Sequence, residues 1–258
     1  GLRPLGQLPG ALLHHWVAAD GIARHHYILG DVLLIGTLRP LGPGAGLHDG
    51  LGVGHPGAHL QQHRGVELLG QLMANYKTPI AVSGTHGKTT TTSMISHLLE
   101  GDTDPTISVG GILQAIGGNI RVGSSGIFVT EACEYTNSFL HFFPKISIIL
   151  NIEADHLDFF KDLEDIRHSF HQFAALLPSD GTLIINGEID QYQEICEGLD
   201  CSVITYGMSP EFDYSAQNIT YDEKGRVAFD FFRNGKMDTH IVLSVTGDHN
   251  VSNALSAI

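Results

Sequence analysis

Four groups of residues in this chain combine types and spacings suited to chemistry on phosphates. The first is Gly84-Thr85-His86-Gly87-Lys88-Thr89-Thr90, entered by the apolar run Ile80-Ala81-Val82. It is left by the helical pattern of Met94, Ile95, Leu98 and Leu99. Glycines let backbone N–H groups turn inward onto phosphate oxygens. Lys88 is a point charge for the β- and γ-phosphate oxygens, and the Thr89 hydroxyl suits Mg²⁺. A strand–loop–helix layout adds the partial positive charge of the helix N-terminus. The loop is shorter than the widespread G-x-x-x-x-G-K-[ST] form, because Val82 holds the place of its first glycine. The plain alternative is a glycine turn that merely starts a helix. Lys88 followed by Thr89, Thr90, Thr91 and Thr92 is an odd choice for that role.

The second group is Glu131, which closes the apolar run Ile127-Phe128-Val129-Thr130. The third is Asn151-Ile152-Glu153-Ala154-Asp155-His156, which follows the apolar run 146–150. The fourth is Asn250 and Asn253, at the start of a helical pattern. Glu131 and Thr89 are hard oxygen donors of the kind Mg²⁺ takes. An asparagine amide can pair with both N6 and N7 of adenine. The third and fourth groups have bland alternatives: Asp155 and His156 as a helix start, and Asn250 as a helix cap beside an exposed Asn253.

The elements that position these groups follow from periodicity. Continuous apolar runs at 79–83, 127–131 and 146–151 read as parallel strands covered on both faces. Ligands of such sheets gather at the carboxyl ends of the strands, so the first three groups are expected to converge. Leu163, Ile166, Phe170, Phe173 and Leu177 recur at three and four, an amphipathic helix ended by Pro178. Strands are expected at 182–185, 202–206 and 240–245, and helices at 66–76, 88–100, 188–199 and 250–258. Residues 214–233 alternate and turn at Glu223-Lys224-Gly225, a hairpin. Residues 107–123 carry two Gly-Gly pairs and Asn119. They read either as backbone held close to a neighbour or as a pair of tight turns. The fold class is therefore α/β: a mostly parallel, phosphate-loop-type sheet flanked by helices, with a small antiparallel extension.

Composition sets the outer bounds. A chain of 258 residues with 42% hydrophobic residues can bury a substantial core. A net charge of −14 argues against nucleic acid as a partner. No apolar run approaches a membrane span, and no signal peptide is expected. Cys133, Cys196 and Cys201 fit no metal spacing and read as reduced thiols, which suits the cytoplasm. Residues 1–75 carry as many acidic as basic side chains, so the whole net charge lies on 76–258. Half of the histidines precede residue 64, where glycine is also dense. The string Gly52-Val53-Gly54-His55-Pro56-Gly57 fits G-x-G-x-x-G, but Pro56 interrupts it. No strand leads into it and no helix pattern follows, so it is not read as a dinucleotide site.

The string Gly84-Thr85-His86-Gly87-Lys88-Thr89-Thr90-Thr91-Thr92 resembles the ATP loop of the Mur ligase family, enzymes that add amino acids to the peptidoglycan precursor. The stretch 131–140, E-A-C-E-Y-T-N-S-F-L, is similar to the family's E-A-D-E-S-x-x-S-F-L, with Cys133 and Tyr135 departing from it. Residues 247–253 are similar to its G-x-H-N-x-x-N signature. The histidine after Gly-Thr is most like the branch that joins L-alanine to UDP-N-acetylmuramate. His171 stands where the branches adding D-glutamate, diaminopimelate or lysine carry a carbamylated lysine.

The resemblance implies ATP and Mg²⁺ as cofactors, and UDP-N-acetylmuramate and L-alanine as partners. It implies that Lys88, Glu131 and His156 are catalytic, and that Thr89, Glu131 and His156 hold the metal. Gly84 to Thr90 with Asn250 and Asn253 would bind the nucleotide, and the glycine-rich stretch 107–123 would border the muramoyl group. The reaction implied is carboxylate activation as an acyl phosphate, then attack by the amine. A tripeptide-recycling ligase with the same loop, and a fragment that binds ATP without ligating, are the alternatives. Residues 65–258 would be the family's central ATP-binding domain, cut short at its end and lacking the amino-acid domain. Residues 1–64 would be an atypical segment in place of a UDP-binding domain, either divergent or a wrong-frame translation.

Overall fold

The computed structural model describes residues 56–258. The readings made for residues before 56 lie outside the described residues. The first element is helix α1, Pro56–Met73. It begins inside the Gly52–Gly57 string and runs through residue 65, so the expectation that no helix follows that string is corrected. Proline tolerates the first helical turn because its missing N–H has no partner there.

Ten strands form one sheet in the order β10-β9-β8-β7-β6-β5-β1-β4-β2-β3. The central strands are β1 (Thr78–Ser83), β4 (Ile127–Glu131) and β5 (Ile146–Ile149), flanked by β2 (Thr106–Leu113), β6 (Thr182–Asn186) and β7 (Ser202–Gly207). All neighbouring pairs from β2 through β4, β1, β5 and β6 to β7 are parallel. β8 (Tyr214–Tyr221) joins β7 in parallel, and β9 (Arg226–Arg233) and β10 (Lys236–Thr246) continue antiparallel. The 214–233 hairpin forms as expected. Strand β10 is longer than the expected 240–245.

Residues 107–123 also become a hairpin: β2, a short 3-10 turn, and β3 (Gly118–Arg121). Both sequence readings hold there, one at each glycine pair. Gly110 lies so close to Glu131 that an added Cβ would stand 3.0 Å from its Oε2. Gly117 is a turn residue with φ +68° and open space around it.

Helices cover both faces of the sheet. On one side α3 (Leu163–Ala174) and a 3-10 segment, Tyr135–His141, bury Phe139, Phe170 and Phe173 together with Met73 of α1. The Phe139 and Phe173 rings stack at 4.6 Å. On the other side α2 (Lys88–Glu100) packs against α5 (His249–Ala257), with Met94, Val251 and Leu255 in the core. The helix expected at 188–199 is only α4, Tyr192–Cys196. Gln191 enters it in the left-handed conformation, and Glu197 leaves it extended.

Candidate nucleotide site

β1 is paired in parallel with β4 on one side and β5 on the other. Val82 lies opposite Glu131, and Ser83 opposite Ile149. The pairing runs one step further on each side, with Ala132 N donating to Val82 O at 2.8 Å and Leu150 N to Ser83 O at 3.0 Å. Three strand ends therefore open at one place, and the first three residue groups leave from them.

The loop after β1 turns on its two glycines. Gly84 has φ +140° and Gly87 φ +85°, conformations that side chains disfavour. A Cβ on Gly84 would stand 2.9 Å from Leu150 Cβ, and one on Gly87 would stand 2.7 Å from Asn253 Oδ1. The loop is clamped from the end of β5. Thr85 N donates to Asn151 O at 3.2 Å and His86 N to Asn151 Oδ1 at 2.7 Å. Asn151 Nδ2 returns a bond to His86 O at 3.0 Å, and Glu153 N donates to Thr85 Oγ1 at 3.0 Å. The exposed His86 ring lies 3.7 Å from the Glu153 carboxylate. The amides of Thr85 and His86 are thus directed to β5, not inward as the sequence suggested. The amides free for an anion begin at the start of α2, where the first turn of a helix has no intrahelical acceptors.

Lys88 opens α2 and folds back over the loop. Its Nζ donates to Gly84 O, to Thr85 O at 3.3 Å, and to Glu134 Oε2 at 2.9 Å. Thr89 and Thr90 follow in the first turn of α2. Glu131 accepts Gly110 N at 2.6 Å across the β4–β2 edge. His156 has φ +54°, a costly conformation for a side-chain-bearing residue. Its Nε2 stands 3.9 Å from Glu134 Oε1, and its ring lies 4.5 Å from that of Tyr135. The Tyr135 hydroxyl donates to Asp158 at 2.8 Å, and that bond pushes the phenol pKa up. The bland reading of Asp155 and His156 as a helix start is corrected: no helix begins there, and Asp155 Oδ1 accepts only the adjacent His156 N–H at 2.7 Å. The true cap of α3 is Asp162, which accepts Asp165 N at 3.0 Å.

Asn250 and Asn253 are buried beside the loop. Asn250 donates to Thr246 O at 2.9 Å and accepts from Asn253 at 3.1 Å, so both ends of its amide are engaged within the protein. His171 turns away from the strand ends, with Nδ1 3.1 Å from Ile195 O in α4.

One participant escaped the sequence reading as a site residue, and two more fell inside stretches it named without the roles they take here. Glu134 is buried and joins Lys88 to His156. Asn151 clamps the loop, and Gly110 admits the Glu131 carboxylate. Their signals were present only as neighbours of motifs: Glu134 within E-A-C-E, and Asn151 one residue past an apolar run.

The residues fit a nucleoside triphosphate: two glycines whose place no Cβ could take, a loop lysine and a helix start. The Thr89 hydroxyl and the Glu131 carboxylate are hard donors apt for Mg²⁺. Among the described residues no three His, Cys, Asp or Glu side chains close on one point. Mg²⁺ draws several ligands from water and phosphate, so a full protein cage is not what it requires.

A mostly parallel sheet with a glycine–lysine loop at the end of its central strand defines a phosphate-loop-type α/β domain. Residues 82–258 match the Mur ligase middle domain, and the chain belongs to that family. It is 62% identical over 193 residues to a UDP-N-acetylmuramate–L-alanine ligase of Agathobacter rectalis, covering 74% of this chain and 42% of that protein. Against the ligase of the same name from Lachnospira eligens the identity is 59% over 194 residues, with the same shares covered. The chain thus spans less than half the length of these relatives. A UDP-N-acetylmuramate–alanine ligase from Thermotoga maritima superposes with TM-score 0.63 at 28% identity, over 78% of this chain and 43% of that one. The UDP-N-acetylmuramate:L-alanyl-γ-D-glutamyl-meso-diaminopimelate ligase from Neisseria meningitides superposes with TM-score 0.68 at 27% identity, over 80% and 70%.

Proposed function

We propose that this chain is the ATP-handling part of a ligase that joins L-alanine to UDP-N-acetylmuramate in peptidoglycan precursor synthesis. The observation that carries the reading is the 62% identity to a relative bearing that name. The tripeptide-recycling alternative is favoured by the TM-score of 0.68, but at 27% identity that match speaks for the shared domain more than for the substrate.

A carboxylate is a poor electrophile at neutral pH. Transfer of a phosphoryl group from ATP activates it as an acyl phosphate, ADP leaves, and the alanine amine displaces phosphate. Mg²⁺ supplies neutralisation of the phosphate charge when bound. The Lys88 ammonium would serve the β- and γ-phosphates by exchanging bonds it makes within the protein, and the start of α2 would offer N–H donors there. Thr89 in the first turn of α2, Glu131 at the end of β4 and His156 beyond β5 are the protein groups that would hold the metal. Adenine recognition by Asn250 and Asn253 requires both amides to exchange the bonds they make here. Catalysis by such a site is positioning plus electrostatics. No described helix is long and apolar enough to cross a membrane. A cytoplasmic location is the reading that three free thiols support.

The test is ADP release by the chain, with each substrate omitted in turn. Release that needs both UDP-N-acetylmuramate and L-alanine supports the ligase. ATP binding with no dependent release assigns the chain the role of an ATP-binding fragment, and dependence on a tripeptide instead of L-alanine assigns it to recycling.

A further inference from the structure

Glu134 is the acidic residue that this site hides from solvent. Its side chain is 3% exposed, and buried carboxylates persist only where they are paired. Both of its oxygens face Lys88 Nζ, Oε2 at 2.9 Å and Oε1 at 3.3 Å. Behind them stands His156 Nε2, 3.9 Å from Oε1. The remaining bonds of Lys88 go to the loop carbonyls of Gly84 and Thr85. An ammonium has three hydrogens, and here they serve the loop and Glu134.

The backbone holds Glu134 firmly. It opens the 3-10 segment Tyr135–His141, and its carbonyl accepts Asn137 N at 2.9 Å. Thr136 and Asn137 follow in the left-handed conformation, φ +55° and +56°. Asn137 Oδ1 is tied to α3 by the Ser169 hydroxyl at 2.5 Å. Two consecutive strained residues beside a buried carboxylate are the kind of cost that folds retain at functional places.

We infer that Glu134 is a positioning residue of the nucleotide site. It holds the Lys88 ammonium in an ion pair, and the phosphates must draw the ammonium away from it. The inference rests on reading Gly84–Thr90 as the phosphate loop. Anionic phosphate and carboxylate compete for one cation, and like charge disfavours their close approach. The ion pair keeps the lysine ordered over the loop and lowers the affinity for each terminal phosphate.

The experiment is calorimetric titration of the whole chain and its Glu134→Gln variant with ATP, with and without Mg²⁺, and with AMP. Glu134→Gln should bind ATP in EDTA roughly tenfold more tightly than the wild type, the weight of one close charge contact. The gain should shrink for Mg-ATP, whose charge is smaller, and vanish for AMP, which lacks the β- and γ-phosphates. ATP binding that is unchanged or weaker, or an equal gain for AMP, would overturn the assignment. If Glu134→Gln does not fold, Glu134→Asp withdraws the carboxylate by one methylene and should tighten ATP by about threefold; no tightening again overturns it. A wild type that binds no ATP, or Lys88→Ala binding as well as wild type, sinks the phosphate-loop reading instead.

Discussion

Replacing Gly84 by alanine should damage both the loop and its seat. At φ +140° the backbone is in a region that residues with a Cβ avoid. The added Cβ would stand 2.9 Å from Leu150 Cβ, 3.2 Å from Asn151 N and 3.3 Å from Asn151 O. Two of those atoms are main chain and the third is bonded directly to it, so no flexible side chain can yield. Backbone strain costs roughly 1–3 kcal/mol, and overpacking against fixed atoms adds a similar amount. The expected loss is about 2–6 kcal/mol, centred on about 4 kcal/mol. Gly117, at φ +68° with nothing within 4 Å of the same Cβ, is the matched control. Gly117→Ala carries only the left-handed penalty, roughly 1–2 kcal/mol. For a chain of this size each kcal/mol moves the melting temperature by about 2–4 °C. Thermal melts followed by circular dichroism should place Gly84→Ala roughly 8–16 °C below wild type and Gly117→Ala a few degrees below. Equal losses at the two glycines would refute the claim that Leu150 and Asn151 form a rigid seat for the loop.

Three further outcomes are expected. Lys88→Met should weaken ATP binding by roughly a hundredfold and cost about 1–3 kcal/mol of stability by leaving Glu134 unpaired; in a urea-unfolding double-mutant cycle, Glu134→Gln should recover part of that loss, and strict additivity would count against the pair. Phe173→Ala should cost about 3–5 kcal/mol in the same assay, because a fully buried ring stacked on Phe139 leaves a cavity behind. Burial pushes the Cys196 thiol up to about 11, with neighbouring Cys201 adding to the shift. A raised thiol pKa means that the unfolded chain loses its proton first. The associated stability is therefore whole below pH 9 and drains away as pH climbs toward 11. Stability measured from pH 8 to 11 should fall less steeply for Cys196→Ala than for wild type.

Much of the central sheet was legible because its strands are continuous apolar runs and its helices keep a 3.6-residue beat. Ile127–Glu131 and Leu163–Ala174 are found where the pattern put them. The pattern failed where tertiary contact decides. β2 contains Gly110-Gly111, and glycine lowers strand propensity. It is a strand because β4 offers it a parallel partner and Glu131 takes the Gly110 amide. The stretch 188–199 has helical composition but supports one short turn, since Gly198 at φ +69° and Gln191 at φ +58° bend the chain at both sides. At the candidate site, Lys88 and Glu131 could be singled out by their own types, and His156 by the family resemblance. Glu134 could not, because the second carboxylate of E-A-C-E reads like any surface acid until its burial is known.

Asn151 shows why the short loop works. The longer phosphate loop places a glycine where Val82 stands and curls on its own backbone. Here Val82 is a fully buried strand residue, so β1 runs right up to Gly84 and the loop has little chain with which to close itself. Closure comes from the neighbouring strand instead. The Asn151 side chain both accepts from and donates to His86, as a backbone pair in a sheet would, while its carbonyl accepts from Thr85. The loop's first half thus behaves as an extra rung between β1 and β5. Its second half, from Gly87 on, is left to face an anion. That division ties the loop to Asn151 and Glu153 at the end of β5. It also ties the position of Lys88 to that of His156 through the carboxylate they share.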